Sequence, residues 1–170
     1  RSWGPGKAGA AEAAEPARTP AEEQAESARQ SMTCADHFLG LLNFERAADE
    51  LERVISELSK EDAPMRHSDL HVQVLGKYGG VLWWDGDAAG AVDAFTAADE
   101  ILADRPAAPA VRRGRADLWA QLAQVHRGFG DLDQADKRLS DAVECLTELH
   151  KSGSPAAGGD GDAKMGDGDA

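Results

Sequence analysis

His67 and His71 lie four residues apart at the start of a predicted helix, with Asp69 between them. Two imidazoles at that spacing share one helix face and can bind the same zinc ion, with a carboxylate as a further ligand. A zinc site needs more protein ligands than this pair supplies, and the sequence offers none close by. The pattern therefore favours the alternative, an exposed helix start, and we expect no metal and no cofactor.

Arg112, Arg113 and Arg115 form the only basic cluster, shortly after Pro106 and Pro109. Such a cluster could be a nuclear import signal or a phosphate contact. Three arginines are too few to be specific. We favour the alternative, a solvated loop whose cations lie close to an acidic body.

Motifs of enzymes are missing from the sequence. The aspartates of residues 152–170 are spaced somewhat like those of a calcium-binding loop, but the closing glutamate is absent. No glycine-rich phosphate loop, nucleophile elbow or pair of catalytic carboxylates stands out. We expect a protein that is not an enzyme.

The net charge of −13 belongs mainly to the middle of the chain. Residues 1–20 contribute +1 and residues 152–170 contribute −3, which leaves −11 for residues 21–151. A surface of that sign repels phosphate backbones and anionic lipid headgroups. Nucleic acid is therefore an unfavourable partner, and a basic protein segment is a favourable one.

The two cysteines, Cys34 and Cys145, are too few and too far apart for a disulfide framework. They indicate buried small hydrophobic residues in a reducing compartment. No apolar run is long enough to insert into a membrane. We expect a soluble, intracellular, cytoplasmic protein. The chain begins with Arg1, as a processed product or a fragment would, so organelle import stays open.

The two ends differ in composition from the middle. Residues 1–20 are rich in alanine, glycine and proline, and residues 152–170 in glycine and aspartate, and we predict that both are disordered. Between them, apolar residues recur every three or four positions, which is typical of amphipathic helices. The predicted helices span residues 21–41, 44–60, 68–84, 88–104, 114–128 and 132–150.

Two kinds of break separate these helices. Prolines follow the second and fourth helices, where their missing N–H ends a helix. Within pairs, Gly86-Asp87 and Gly130-Asp131 provide a residue able to adopt a left-handed cap and then a carboxylate able to cap the next helix. Such short turns make the two helices of a pair antiparallel.

The helix pairs repeat one residue pattern. The second pair has Leu75, Tyr78, Gly79, Leu82, Gly86, Asp87, Ala91, Phe95 and Ala98, and the third has Trp119, Leu122, Ala123, His126, Gly130, Asp131, Ala135, Leu139 and Ala142. A weaker copy upstream has Cys34, Ala35, Phe38, Ala47, Leu51 and Val54, with Leu42-Asn43 in place of the turn. Ala47, Ala91 and Ala135 follow one another at intervals of 44 positions.

This pattern resembles the tetratricopeptide repeat (TPR), in the long-repeat variety of kinesin light chains. The resemblance implies an all-α fold of three antiparallel helix-turn-helix repeats, at about residues 21–62, 66–105 and 112–150, stacked as a short right-handed α-solenoid. In such repeats a small alanine lets the paired helices approach closely, and a large residue such as Phe95 or Leu139 fills the space between hairpins.

The resemblance also places the first helix of each pair along a concave groove. The matching positions are Arg29, Met32, Asp36 and Leu39 in the first repeat, Gln73, Gly76, Gly80 and Trp83 in the second, and Asp117, Ala120, Gln124 and Arg127 in the third. Trp83 and Trp84 are about 100° apart on a helix, so at least one should be partly exposed. Trp83 could anchor a partner, or both rings could pack between hairpins.

Some TPR proteins bind a C-terminal carboxylate through a clamp of cationic and amide side chains. The matching positions here are Met32, Asp36, Lys77, Asp117 and Gln121, of which only Lys77 is cationic. We therefore do not expect that activity. The leading hypothesis is a protein–protein interaction scaffold that binds a peptide or helix, for which a basic amphipathic segment fits best. The alternative is a structural subunit that packs permanently into a complex through its hairpin ends.

Overall fold

The computed structural model describes residues 17–153. Six helices account for most of this part of the chain: α1 (Pro20–Gly40), α2 (Phe44–Leu58), α3 (Asp69–Asp85), α4 (Ala88–Ala103), α5 (Pro109–Gly128) and α6 (Leu132–Gly153). The described residues contain no strand. Each helix packs against its neighbours in the chain, and α1 also contacts α3. The prediction of an all-α fold of three stacked helical hairpins is confirmed.

The turns inside the second and third hairpins have the predicted geometry. Gly86 and Gly130 adopt left-handed backbone angles, with φ of 93° and 87°. The Asp87 side chain then accepts a hydrogen bond from the Gly90 N–H at 2.9 Å, and Asp131 accepts one from Gln134 at 3.2 Å. Two residues thus separate α3 from α4, and three separate α5 from α6.

The first hairpin makes the same turn without a glycine. Leu42 has a φ of 56°, and its side chain is 77% exposed. Asn43 takes the place of the capping aspartate and accepts a hydrogen bond from the Arg46 N–H at 3.1 Å. A left-handed backbone brings the Cβ of a residue other than glycine too close to its own chain. The turn of the first hairpin is therefore strained.

The repeated alanines lie where the helices of each hairpin pack together. Ala47 and Ala91 are fully buried, and Ala135 is nearly so. One core cluster joins α1, α2 and α3, and a second joins α3, α4 and α5. In the second hairpin the Phe95 ring occupies the space above Gly79, where a Cβ atom would stand 2.9 Å from Cε1 of the ring. Large and small residues therefore alternate in the core as predicted.

Helix α5 begins at Pro109, five residues before its predicted start. A proline is favourable in the first turn, because the N–H that it lacks would have no partner within the helix. Arg112, Arg113 and Arg115 consequently lie on α5, and the prediction of a solvated loop was wrong. Arg115 donates a hydrogen bond to Asp99 on α4 at 2.7 Å, and Arg112 lies 3.7 Å from Glu148 on α6.

Cys34 is exposed, which corrects the prediction that both cysteines are buried. Tyr78, the corresponding residue of the second hairpin, packs against the core formed with the first hairpin. Cys34 has no such cover, because no described hairpin precedes α1. Cys145 is half-buried, and both thiols are free.

The predicted disordered ends fall largely outside residues 17–153. Within the described part, α1 begins at Pro20 and α6 extends to Gly153. None of these helices combines the length and the apolar character that crossing a membrane requires.

Candidate partner-binding groove

Helices α1, α3 and α5 carry the twelve residues predicted to line a groove. The six charged or amide-bearing ones are exposed: Arg29, Asp36, Gln73, Asp117, Gln124 and Arg127. The other six are half-buried: Met32, Leu39, Gly76, Gly80, Trp83 and Ala120. The polar members are thus available to a partner, whereas the apolar members share their surface with the packing of the stack.

Met32 and Leu39 show this sharing on α1. Both pack against the first core cluster while remaining half-exposed to solvent. A partner would therefore contact only the outer part of each side chain. Their loss would weaken the core of the first hairpin as well as any binding.

An ion pair crosses from the first hairpin to the second. Lys77 Nζ on α3 lies 2.5 Å from Asp36 Oδ1 on α1. Lys77 was the only cation among the positions of the carboxylate clamp, and its charge is already matched by this carboxylate. The pair gives a second reason, besides the sequence, not to expect a carboxylate clamp here.

Trp83 lies in the last turn of α3 and joins two hairpins. Its indole packs against Gly128 at the end of α5, where a Cβ atom would stand 2.7 Å from Cζ2 of the ring. The ring also borders the second core cluster. Trp83 is therefore a spacer between α3 and α5, and only its half-exposed part remains for a partner.

Trp84 is the more exposed of the two adjacent tryptophans, at 72%. The prediction that at least one of them would be partly exposed is confirmed. The more exposed ring is that of Trp84, whereas Trp83 was the predicted anchor for a partner. Neighbouring residues on a helix point about 100° apart, so the rings of Trp83 and Trp84 cannot both face the core. The repeat pattern places position 83, and not position 84, among the predicted groove residues.

The polar residues at the two ends of the candidate groove border different cavities. Arg29 lies beside a cavity of 330 Å³ together with Glu22, Glu26 and Met65. Arg127 and Gln124 border a cavity of 170 Å³ between α5 and α6, whose wall on the α6 side is Leu139. Leu139 was expected to fill space between hairpins, but 44% of it is exposed. That prediction was wrong, because no described hairpin follows the third.

The histidine pair is not an exposed helix start. His67 is exposed, but His71 is buried, and its Nδ1 accepts a hydrogen bond from the His67 N–H at 3.3 Å. Burial lowers the pKa of His71 below its ordinary value, and the nearby His67 and Arg66 act in the same direction. The residues from 17 to 153 include no group of three or more side chains placed to hold a metal ion.

A polar contact that the sequence did not indicate joins α4 to α5. Asp99 accepts hydrogen bonds from Arg115 Nε at 2.7 Å and from the Trp119 indole at 3.1 Å. The Arg115 guanidinium also stacks over the Trp119 ring, 4.8 Å from its centre. The hydrogen bond to Asp99 raises the pKa of Arg115. These residues are far apart in sequence, so only the packing of hairpins reveals the cluster.

Comparison with known proteins supports the fold. No protein-family model matches the sequence, and no curated protein is similar to it. Among solved structures, the chain is similar to a Podosopora anserina protein described as a kinesin light chain with nearly identical TPR-like repeats. The TM-score is 0.60 at 17% sequence identity, over 82% of this chain and 62% of that one. A single-substitution variant of that protein gives a TM-score of 0.62 at 18% identity, over 79% and 61%.

The fold is therefore TPR-like, as the repeat pattern predicted. The chain spans about three fifths of the length of these two structures. At this level of identity the similarity describes the architecture of stacked helical hairpins.

Proposed function

We propose that this chain is an intracellular, cytoplasmic protein–protein interaction scaffold without catalytic activity. It presents the face of α1, α3 and α5 to a peptide or helix of a partner protein, as an adaptor in a larger assembly. The main support is that the TPR-like stack leaves the six polar positions on these helices exposed. Stacked hairpins form extended concave surfaces that suit such a ligand.

The charge of the stack indicates the chemistry of the partner. Residues 21–151 carry −11, and Asp117 is an exposed carboxylate on α5. Half-buried Met32, Leu39 and Trp83 offer apolar contact between the polar positions. A basic, amphipathic segment would match both features, whereas nucleic acid would be repelled.

The experiment starts with basic amphipathic peptides of about 20 residues selected by display against the full chain. Asp117→Lys should weaken the tightest selected peptide by about threefold or more, because it reverses a charge in the groove. Asp93→Lys is the matched control, since Asp93 is also exposed but lies on α4, outside the proposed groove. Equal losses for both variants would show only the effect of net charge, and the groove proposal would fail.

Salt dependence provides a second measurement on the same peptide. Steering by exposed charges is screened beyond about 8 Å at physiological ionic strength. The association rate should therefore fall as salt is added, while apolar contacts keep the dissociation rate nearly constant. A dissociation rate that changes as much as the association rate would contradict the proposed division of roles.

The alternative is a structural subunit that packs into a complex through a hairpin end. The observation that favours it is a set of exposed apolar residues on α6, among them Leu132 and Val143. Substitutions there would then abolish partner binding, and those at Asp117 or Gln73 would not. The two functions therefore make opposite predictions for the same set of variants.

A further inference from the structure

Four apolar side chains form a row along the outside of α6. Leu132, Leu139, Val143 and Leu146 are between 44% and 62% exposed. Their spacings of seven, four and three residues place them on one face of the helix. Leu139 of this α6 row also borders the small cavity beside the second half of α5. Contiguous apolar surface of this kind commonly marks an interaction site.

The repeat itself shows what the α6 row corresponds to. Positions 44 residues earlier are Ala88, Phe95, Asp99 and Leu102 on α4. Three of them belong to, or pack against, the core cluster that includes residues of α5. Asp99 is bonded to Arg115 and Trp119, and Leu102 lies 3.3 Å from the Cβ position of Gly114. In the second hairpin this face therefore holds the next hairpin.

The opposite end of the stack is built differently. On α3, Leu70, Val74 and Val81 belong to the core cluster shared with the preceding hairpin. The residues 44 positions earlier on α1 are Glu26, Gln30 and His37. Burying these polar groups under an apolar helix would leave them without partners, at a considerable cost. The α1 end is thus a polar cap, and head-to-tail stacking of copies is unfavourable.

We propose that a second copy of this chain covers the α6 row, with the two α6 helices antiparallel about a twofold axis. A twofold contact uses the same surface on both copies, so the assembly closes at the dimer. This inference goes beyond the proposed scaffold function and does not depend on it.

The charges on α6 support the antiparallel arrangement. Exposed Asp133 and Asp136 lie near the beginning of the helix, and exposed His150 and Lys151 lie near its end. Lys137 lies beside the former, and exposed Glu144 and Glu148 precede the latter, so each end of α6 carries both signs. Antiparallel packing about the middle of α6 places Asp136 of one copy against Lys151 of the other, whereas parallel packing would place each against its own copy.

The middle of α6 also suits contact with its own copy. Val143 occupies the position that Asp99 has on α4. A carboxylate at the centre of a twofold contact would meet its own symmetry mate, whereas valine meets valine. Asp99 of α4 accepts a hydrogen bond from Arg115, whereas the valine at the same position of α6 needs only apolar contact.

The test measures the mass of the full chain by sedimentation equilibrium from about 5 to about 200 µM, a range that reveals a micromolar Kd. We expect a monomer–dimer equilibrium. Val143→Glu should leave a monomer over the whole range, with an unchanged circular dichroism spectrum. Leu41→Glu is the matched control, because Leu41 is 64% exposed in the turn after α1, and it should keep the dimer.

A charge exchange tests the orientation. Asp136→Lys and Lys151→Glu should each weaken the dimer by about threefold, as expected for partly exposed charges. The double variant should recover most of the loss, since each new lysine faces a new glutamate of the other copy. These residues are too far apart along one helix to interact within a chain. Losses that simply add would contradict the antiparallel arrangement.

Other results would overturn the proposal. A wild-type chain that stays monomeric at the highest concentration would mean that the row is free, or is covered by residues 1–16 or 154–170. Growth beyond the dimer would indicate head-to-tail stacking. A Val143→Glu chain that keeps the dimer mass would place the contact on another surface.

Discussion

The indole of Trp83 on α3 lies across Gly128 on α5, where any side chain would meet the ring. The contact joins the ends of two helices that both face the candidate groove. Trp83 therefore sets the spacing between the second and third hairpins, whatever it contributes to a partner. Residues predicted to line the groove and residues of the packing are in part the same.

Gly128→Ala should destabilise the chain by roughly 1–3 kcal/mol, because the new methyl group forces the Trp83 ring away from α5. Thermal and urea denaturation followed by circular dichroism measure the loss. Gly80→Ala is the control, since nothing lies within 4 Å of that Cβ position. It should stabilise α3 by about 0.5–1 kcal/mol. Equal effects at both sites would mean that the Trp83 contact is not made.

Leu42→Gly should raise the free energy of unfolding by up to about 1 kcal/mol. Leu42 has a φ of 56°, and glycine adopts such angles without steric cost, although it also loses more backbone entropy on folding. Leu41→Gly is the comparison, because Leu41 has an ordinary φ of −94° and gains no relief. We expect urea denaturation to show stabilisation for the first variant and destabilisation for the second.

Ala91→Leu should cost roughly 1–3 kcal/mol, since Ala91 is fully buried where α3 and α4 pack together. Ala89→Leu adds the same volume two residues earlier on the exposed side of α4. It should change stability by no more than about 0.5 kcal/mol. Thermal unfolding of both variants distinguishes the helix contact from a general effect of leucine. An unchanged melting temperature for Ala91→Leu would contradict the register of the repeats.

The stability of the fold should depend on pH through His71. Its pKa is lowered in the folded chain, chiefly by burial, so the unfolded chain binds the proton more readily. Stability should therefore rise with pH through the window between the folded pKa and the ordinary value of 6.5, and fall as the pH drops through that window. Urea denaturation at a series of pH values measures the slope. His71→Gln should reduce it, and an unchanged slope in that variant would contradict the assignment to His71.

The sequence by itself determined the six helices and the turns within two of the three hairpins. These features are local, because apolar residues spaced three and four apart predict a helix. Gly86 and Asp87 supply the C-cap of α3 and the N-cap of α4. The repeat of 44 residues then indicated the TPR-like stack, because the equally spaced Ala47, Ala91 and Ala135 occupy the same buried position in each hairpin.

The candidate groove was predictable only in part. The exposure of Asp117 and Gln73 follows from their place on a repeat helix, and the sequence indicated it. The pairing of Asp36 with Lys77 and the position of Trp83 over Gly128 depend on how two hairpins meet. Residues that lie 41 or 45 positions apart leave no local pattern that would reveal such contacts.

Tertiary structure alone decided what happens at the two ends of the stack. Cys34 and Leu139 occupy positions that are covered in the middle hairpin, yet both are exposed. The same residue pattern is buried or exposed according to whether a neighbouring hairpin lies against it. A repeat sequence describes one hairpin at a time, and burial belongs to the contact between two.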